Sequence, residues 1–438
     1  MSLHLTLVHS APAYLRAIRT RFSSEHPDEQ VHLTELVTKG LVRIRQMCRD
    51  LMSDQTLKTS ILYNAFTEAA HGQWLKEQDY YGFDQVYADS GGLQMVTRGL
   101  PLTEDLKLQI YETQKASDFG FCFDEIPLKL KEGIDPETGK HRALTDSKLF
   151  YPEDFTSCAE RTAQNVLNQC RAFEGTDTKA FYIVQGNTSD EMYRWFERGV
   201  DIVGPDYFKN VQGVAPADTC MGNGELESID MLVAYHRMVS DFGPKYTRKH
   251  IHLLGVGSPS RLMPVVLLKR SGFIPPDVEV SFDSSTQSMA YAMGNYLDSD
   301  GDRTNKDHQK VMRMFGRFYD DMEDLFVEFS PNITKEWYLD YTEKRYLSIS
   351  DTIKQCPKEM EIAVRASVTL MCIWQGLGLY ARLKEDLECD EVRQTGLGYL
   401  TEVNTLDDYH HWRRQFERFM SSKRIDRKTN NSLVDMFE

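Results

Sequence analysis

The sequence predicts an α/β fold, a (β/α)8 barrel of the TIM type followed by a C-terminal helical appendage. Three observations lead there. Short β-branched or aromatic runs alternate with helical stretches, which implies a parallel sheet. About eight such units occur, which implies closure into a barrel. Each run also stops abruptly at a glycine or a polar residue.

The runs span residues 4–9, 60–64, 85–89, 119–124, 180–185, 207–213, 252–257 and 279–283. The first is the weakest and also reads as part of a leading hairpin. Helical patterns lie between them at 156–172, 189–198 and 225–240, and residues 14–22 read as an amphipathic helix. An insertion at 127–152, rich in Lys, Glu, Asp and Gly, interrupts the series. Beyond about residue 300 the pattern is helical and amphipathic, over 310–329, 358–383 and 407–420. The expected organisation is therefore a catalytic barrel in 1–300 and a helical region in 301–438. Asp298-Ser299-Asp300-Gly301-Asp302 has the acidic look of a calcium loop. Its glycine is misplaced and no closing glutamate follows, so a solvated loop is expected.

Composition narrows the functional classes. The chain has 438 residues, 41% hydrophobic and 27% charged, enough for one barrel and a smaller appendage. No apolar run approaches a membrane span, and residues 1–13 lack the pattern of a signal peptide. The eight cysteines are scattered without framework spacing, so free buried thiols in the cytoplasm are expected. Net charge is −15, which argues against tight non-specific nucleic-acid binding by the whole surface. A local basic stretch remains in Arg413, Arg414, Arg418, Lys423, Arg424, Arg427 and Lys428. It reads equally as a phosphate-facing patch or as a solvated helix face.

The polar strand ends carry the functional content. Asp89, Asp124, Gln185, Gly213, Gly257 and Asp283 all close their runs. In a closed barrel those ends converge on one rim, where barrel enzymes place their chemistry. Each of these residues taken singly serves as well as a strand-end acid, a helix cap or a turn. Together, two carboxylates, an amide and exposed glycine N–H groups suit a purine. A carboxylate accepts from guanine's N1–H and exocyclic amine, while an amide and a backbone N–H donate to O6. A second carboxylate beneath the ring is placed to attack the sugar carbon.

Seven short motifs, in order, resemble the tRNA-guanine transglycosylase superfamily over about residues 57–298. They are Ile61-Leu62-Tyr63-Asn64, Asp89-Ser90-Gly91-Gly92-Leu93-Gln94, Phe123-Asp124-Glu125, Ile183-Val184-Gln185-Gly186, Gln212-Gly213-Val214-Ala215, Leu254-Gly255-Val256-Gly257-Ser258-Pro259 and Phe282-Asp283-Ser284. The resemblance implies that Asp283 is the nucleophile and Asp89 the general acid/base. It implies that Asp124 and Gln185 read the base, with Ser90 at its edge. Gly213 and Val214 would meet O6 and the substituent of the incoming base, and Leu93 and Leu254 would sandwich the ring, with Gly255 beside it.

Departures from the family pattern point to one of its branches. After the nucleophile the chain runs Ser285-Thr286-Gln287-Ser288 instead of the family's Pro-Thr-Arg, which helps read the anticodon loop. No cysteine occurs between Ser284 and Gln355, so the family's structural zinc site has no counterpart, and no metal or other cofactor is expected. The catalytic set is kept without the tRNA-reading set. That combination is similar to the DNA-directed 7-deazaguanine transglycosylases (the DpdA type).

The resemblance then implies DNA as partner, a 7-deazaguanine such as preQ0 as the incoming base, and possible accessory proteins of a DNA-modification system. A divergent tRNA-guanine transglycosylase and a non-catalytic barrel subunit that binds nucleic acid stay as alternatives. A metal-dependent barrel hydrolase would want clustered histidines at strand ends, and only His9 and His252 come near.

Overall fold

Eight parallel strands hydrogen-bond in a closed ring in the computed structural model, in the order β1-β8-β7-β6-β5-β4-β3-β2. They are β1 (Leu5–His9), β2 (Lys58–Asn64), β3 (Val86–Asp89), β4 (Phe119–Phe121), β5 (Lys179–Gly186), β6 (Val211–Asp218), β7 (His250–Leu253) and β8 (Glu279–Ser284). The structure describes residues 2–9, 27–67, 76–77, 82–92, 95, 102–130, 150–218, 227–247, 249–284, 295–305, 307–347, 358–395, 405 and 407–419. The helix expected at 14–22 and most of the insertion lie outside them. Of the insertion, Leu128–Leu130 pairs antiparallel with Phe150–Pro152. The weak first run is a true barrel strand. It closes the ring by pairing Leu5 with Val280 and Thr6 with Lys58.

Strand alternation divides the residues between barrel interior and helix layer. Thr6 and Val8 share a pleat with Ser281 and Asp283, and Asn64 with Asp89. At the floor, Glu279 accepts from the Thr6 hydroxyl at 2.7 Å and pairs with Lys58 at 3.0 Å. Above it the Tyr87, Phe119, Phe121 and Phe181 rings pack with His250 and His252. The Phe121–His252 and Phe181–His250 centroids stand 4.6 and 4.7 Å apart. Side chains therefore fill the interior beneath the C-terminal ends of the strands.

The helix layer begins with α1 (Pro27–Met52), which the sequence reading missed. Leu36, Val37, Leu41, Ile44 and Cys48 form its buried stripe at helical spacing. Helices α2 (Glu104–Gln114), α3 (Phe155–Ala172), α4 (Ser189–Phe208), α5 (Glu227–Phe242) and α6 (Pro259–Arg270) follow their strands in turn. Thr103, Asp154 and Thr188 cap α2, α3 and α4 by accepting first-turn N–H groups.

After β8 come α7 (His308–Phe329), α8 (Lys335–Leu347) and α9 (Lys358–Glu388). Helix α9 lies beyond the expected boundary at residue 300 and packs on the barrel. A methyl on Gly376 of α9 would lie 2.8 Å from Leu7 Cδ2 on β1. One on Gly40 of α1 would lie 2.5 Å from Leu370 of α9. The two glycines let α9 sit down beside α1 and directly on β1.

Residues 407–419 form a further helix, whose Tyr409 stacks on Phe273 at 5.2 Å. Its Arg413 pairs with Glu417 at 2.9 Å and with Asp230 at 3.4 Å, so this arginine is engaged within the fold. Arg414 and Arg418 are exposed, and the remaining basic residues of that stretch lie outside the described ones.

The acidic loop around Asp298 is a stapled turn between Asn295–Leu297 and Arg303–Asn305. Asp298 accepts the backbone N–H groups of Asp300 and Asp302 at 3.1 and 3.0 Å, and Arg317 at 2.9 Å. Six cysteines fall among the described residues, all free, and five of them are buried. No helix among the described residues is long and apolar enough to cross a membrane.

Candidate active site

Asn64, Asp89, Gln185 and Asp283 stand at the C-terminal ends of β2, β3, β5 and β8, and Asp124 follows β4 by three residues. Asn64 is fixed first. Its Oδ1 accepts from Phe66 and Thr67 N–H at 3.1 and 3.0 Å, which aims its Nδ2 at Asp89 Oδ2, 3.1 Å away. The chain then turns away through Gly91, whose φ of +80° favours glycine. A Cβ there would also strike Phe66 at 2.6 Å. The turn brings Gly92 against Asp124: a methyl on it would lie 3.0 Å from Asp124 Oδ1 and 3.7 Å from Ser90 Oγ.

The three carboxylates share one electrostatic environment. Burial raises Asp89 to about 7, with the charges of Asp124 and Asp283 pushing the same way against the Gly91 and Ser90 backbone N–H groups. Burial likewise raises Asp124 to about 6, opposed by the hydrogen bond from Gln185. That bond, Gln185 Nε2 to Asp124 Oδ2, is 2.5 Å long. Asp283 is held differently. Its Oδ1 accepts the Gly255 backbone N–H at 2.8 Å and faces His252 Nε2 at 3.4 Å. Gly255 presents that N–H from a φ of +69°, and Arg261 secures its carbonyl at 3.1 Å.

Asp89, Ser90, Asp124, Gln185, Gly255 and Asp283 are thus brought to one rim. Ser90 is fully buried beside Asp124, and its hydroxyl has no hydrogen-bond partner among the described residues. Leu254 is half-buried in the turn after β7, next to Gly255. Leu93 lies outside the described residues.

Gly213 and Val214 are corrections. Residues 207–208 end α4, and β6 runs on to Asp218, so Gly213 is two residues into the strand and not at its end. Gly213 pairs with Phe181, deep in the barrel, while Ala217 is level with Gln185. Val214 pairs with Tyr182, whose hydroxyl bonds the Trp195 carbonyl on α4, so both side chains face the helices. Gly257 is also displaced, because β7 ends at Leu253.

Sequence reasoning missed the roles of Asn64, His252 and Ser281. The signal was present for the latter two. Ser281 lies two residues before Asp283, and His252 two before Leu254, on inward-facing pleats. His9 belongs to the other face: it pairs with Ser284 and packs near Gly376 of α9. His9 and His252 therefore lie on opposite sides of the sheet and cannot share an ion. Among the described residues no group of three or more His, Cys, Asp or Glu side chains is arranged to hold a metal.

No protein-family model matches the chain, and no curated protein matches it. Among solved structures it is similar to triosephosphate isomerase from Bartonella henselae. The TM-score is 0.31 at 12% identity, over 66% of this chain and 94% of that one. A likeness of that size carries no argument about activity. The barrel itself is established by the closed ring of eight parallel strands.

Proposed function

We propose that this barrel is a transglycosylase that exchanges guanine for a 7-deazaguanine base in a polynucleotide, with DNA the favoured substrate. The observation that carries the reading is the convergence of Asp89 and Asp283 on one rim, close enough for the charge of one to raise the other. Asp124 and Gln185 adjoin them as a base-reading pair.

In the first half-reaction an Asp283 oxygen attacks C1′ as the bond from C1′ to N9 breaks. The electron pair passes to the guanine, which takes a proton from Asp89. In the second half the incoming base returns its N9 proton to Asp89 and displaces the Asp283 ester from C1′. Two inversions restore the anomer, as in retaining glycosidases. No net proton or electron is consumed. A group titrating near 7 is populated in both forms at neutral pH, which suits the two-way proton traffic assigned to Asp89.

The buried Ser90 hydroxyl beside Asp124 supports a ligand edge there, since a buried polar atom with no partner among the described residues calls for one. A base stacked inside a duplex cannot reach such a rim, so the target nucleotide is flipped or single-stranded.

The test is incubation with labelled guanine or preQ0 and either DNA or tRNA. Label entering DNA supports the reading, and label entering tRNA alone moves the activity to the tRNA branch. Label entering neither overturns it. Asp283→Asn abolishes both exchange and the covalent adduct, and an adduct persisting in that variant removes Asp283 as nucleophile.

A further inference from the structure

Beneath Asp283 the barrel interior holds a column of polar side chains that the exchange steps do not use. Ser281 Oγ lies 2.7 Å from His250 Nε2 and 2.8 Å from His252 Nδ1. Above, His252 Nε2 is 3.4 Å from Asp283 Oδ1, and below, Gln212 Nε2 is 3.5 Å from His250 Nδ1. Ser281, His250 and His252 are all fully buried.

Donor and acceptor rules give this column a single direction. An ionised carboxylate only accepts, so His252 presents Nε2–H to Asp283. A neutral imidazole carries one N–H, and in that form His252 Nδ1 is an acceptor, filled by the Ser281 O–H. The serine oxygen is then left to accept, and it does so from His250 Nε2–H. Burial holds His250 neutral, with a pKa lowered to about 3. Its Nδ1 is thereby an acceptor, facing the Gln212 amide. Every link points towards Asp283.

We infer that the donor chain Gln212–His250–Ser281–His252, together with the Gly255 N–H, ties Asp283 Oδ1 so that Oδ2 is the oxygen that bonds the sugar. His252 is then a positioning residue. The inference rests on the reading of Asp283 as nucleophile. Among the described residues no donor reaches Oδ2, whereas Oδ1 faces two. When Oδ2 becomes an ester oxygen, Oδ1 becomes a carbonyl oxygen and still accepts both N–H groups. The column therefore serves the free and the covalent states without reorganising, which is the advantage of fixed dipoles in a closed site.

The experiment is 15N NMR of the whole protein carrying labelled histidine, at mildly alkaline pH, with His250→Gln and His252→Gln used only to assign the two rings. Both rings are expected neutral with the proton on Nε2. Ser281→Ala deprives His252 Nδ1 of its donor, so that ring redistributes between tautomers. In the same variant kcat for exchange falls about fivefold to tenfold, the scale of one lost hydrogen bond, while KM for the base is unchanged. A proton on Nδ1 of either ring in the native protein overturns the inference. So does a Ser281→Ala variant with unaltered spectra and turnover. The native spectra need no variant to fold and no turnover to read. An inert protein with both protons on Nε2 would remove the exchange reaction and leave the direction of the column standing.

Discussion

The Gln185 amide donates to the Asp124 carboxylate at 2.5 Å, joining the end of β5 to the loop after β4. This bond opposes the burial that raises Asp124 to about 6. If Asp124 reads the base as proposed, it does so as the ionised acceptor, so guanine binding is expected to fall as pH drops through about 6. Gln185→Ala moves that midpoint upward and weakens binding at neutral pH by about tenfold, the scale of a hydrogen bond to a charged group. Calorimetric titration with guanine across a pH series checks this. An unmoved midpoint would dissociate the amide from the acid.

Asp89 makes a stability prediction independent of substrate. Its pKa rises from 3.8 to about 7 on folding. Between those values the folded chain keeps a proton that the unfolded chain has lost. Stability from this group therefore falls as pH rises across the window and levels off above about 7. Asp89→Asn removes the penalty. It is expected to be more stable than the native protein by on the order of 2 kcal/mol at about pH 8, with no advantage near pH 4. Urea unfolding at the two pH values decides, and an equal difference at both would contradict the raised pKa.

Gly213→Ala tests the corrected strand. A Cβ at this position would lie 2.0 Å from the His250 carbonyl oxygen, a backbone atom of the neighbouring strand. The barrel wall has no room to give there, so a loss of more than about 3 kcal/mol is expected. Thermal melting measures it. A melting point unchanged from native would place β6 elsewhere.

The position of α9 predicts that the barrel cannot stand without the last third of the chain. A chain ended at residue 305 lacks the helix that covers Leu7 and Gly40. It is expected to be aggregated or molten by size-exclusion chromatography and near-ultraviolet circular dichroism. A monodisperse product with native-like spectra would place the boundary near residue 300.

The ring of strands and most rim residues were legible because buried β runs ending in carboxylate or amide are a strong local pattern. Two strands were misplaced for an identifiable reason. Tyr207 and Phe208 have strand-like side chains, yet they end α4 beyond its break at Gly204 and Pro205. His250-Ile251-His252 reads as polar, and it becomes an interior strand only because Ser281 and the aromatic rings across the barrel satisfy both imidazoles. That satisfaction is tertiary, and no local window contains it. The same holds for α9, whose membership of the ring depends on Gly40 and Gly376 meeting partners far along the chain.

The pairing of Leu5 with Val280 has a consequence for synthesis. As the chain leaves the ribosome, β1 emerges before the other barrel strands and waits until residue 280 and beyond for the strand that completes its hydrogen bonds. Its outer side waits longer, until α9 arrives. The nascent protein thus carries an open sheet edge until β8 arrives and an uncovered apolar face until α9 does, the two features that invite mispairing with other chains. Slow or interrupted translation past residue 280 should therefore cost yield of soluble protein more than the same pause placed after α9.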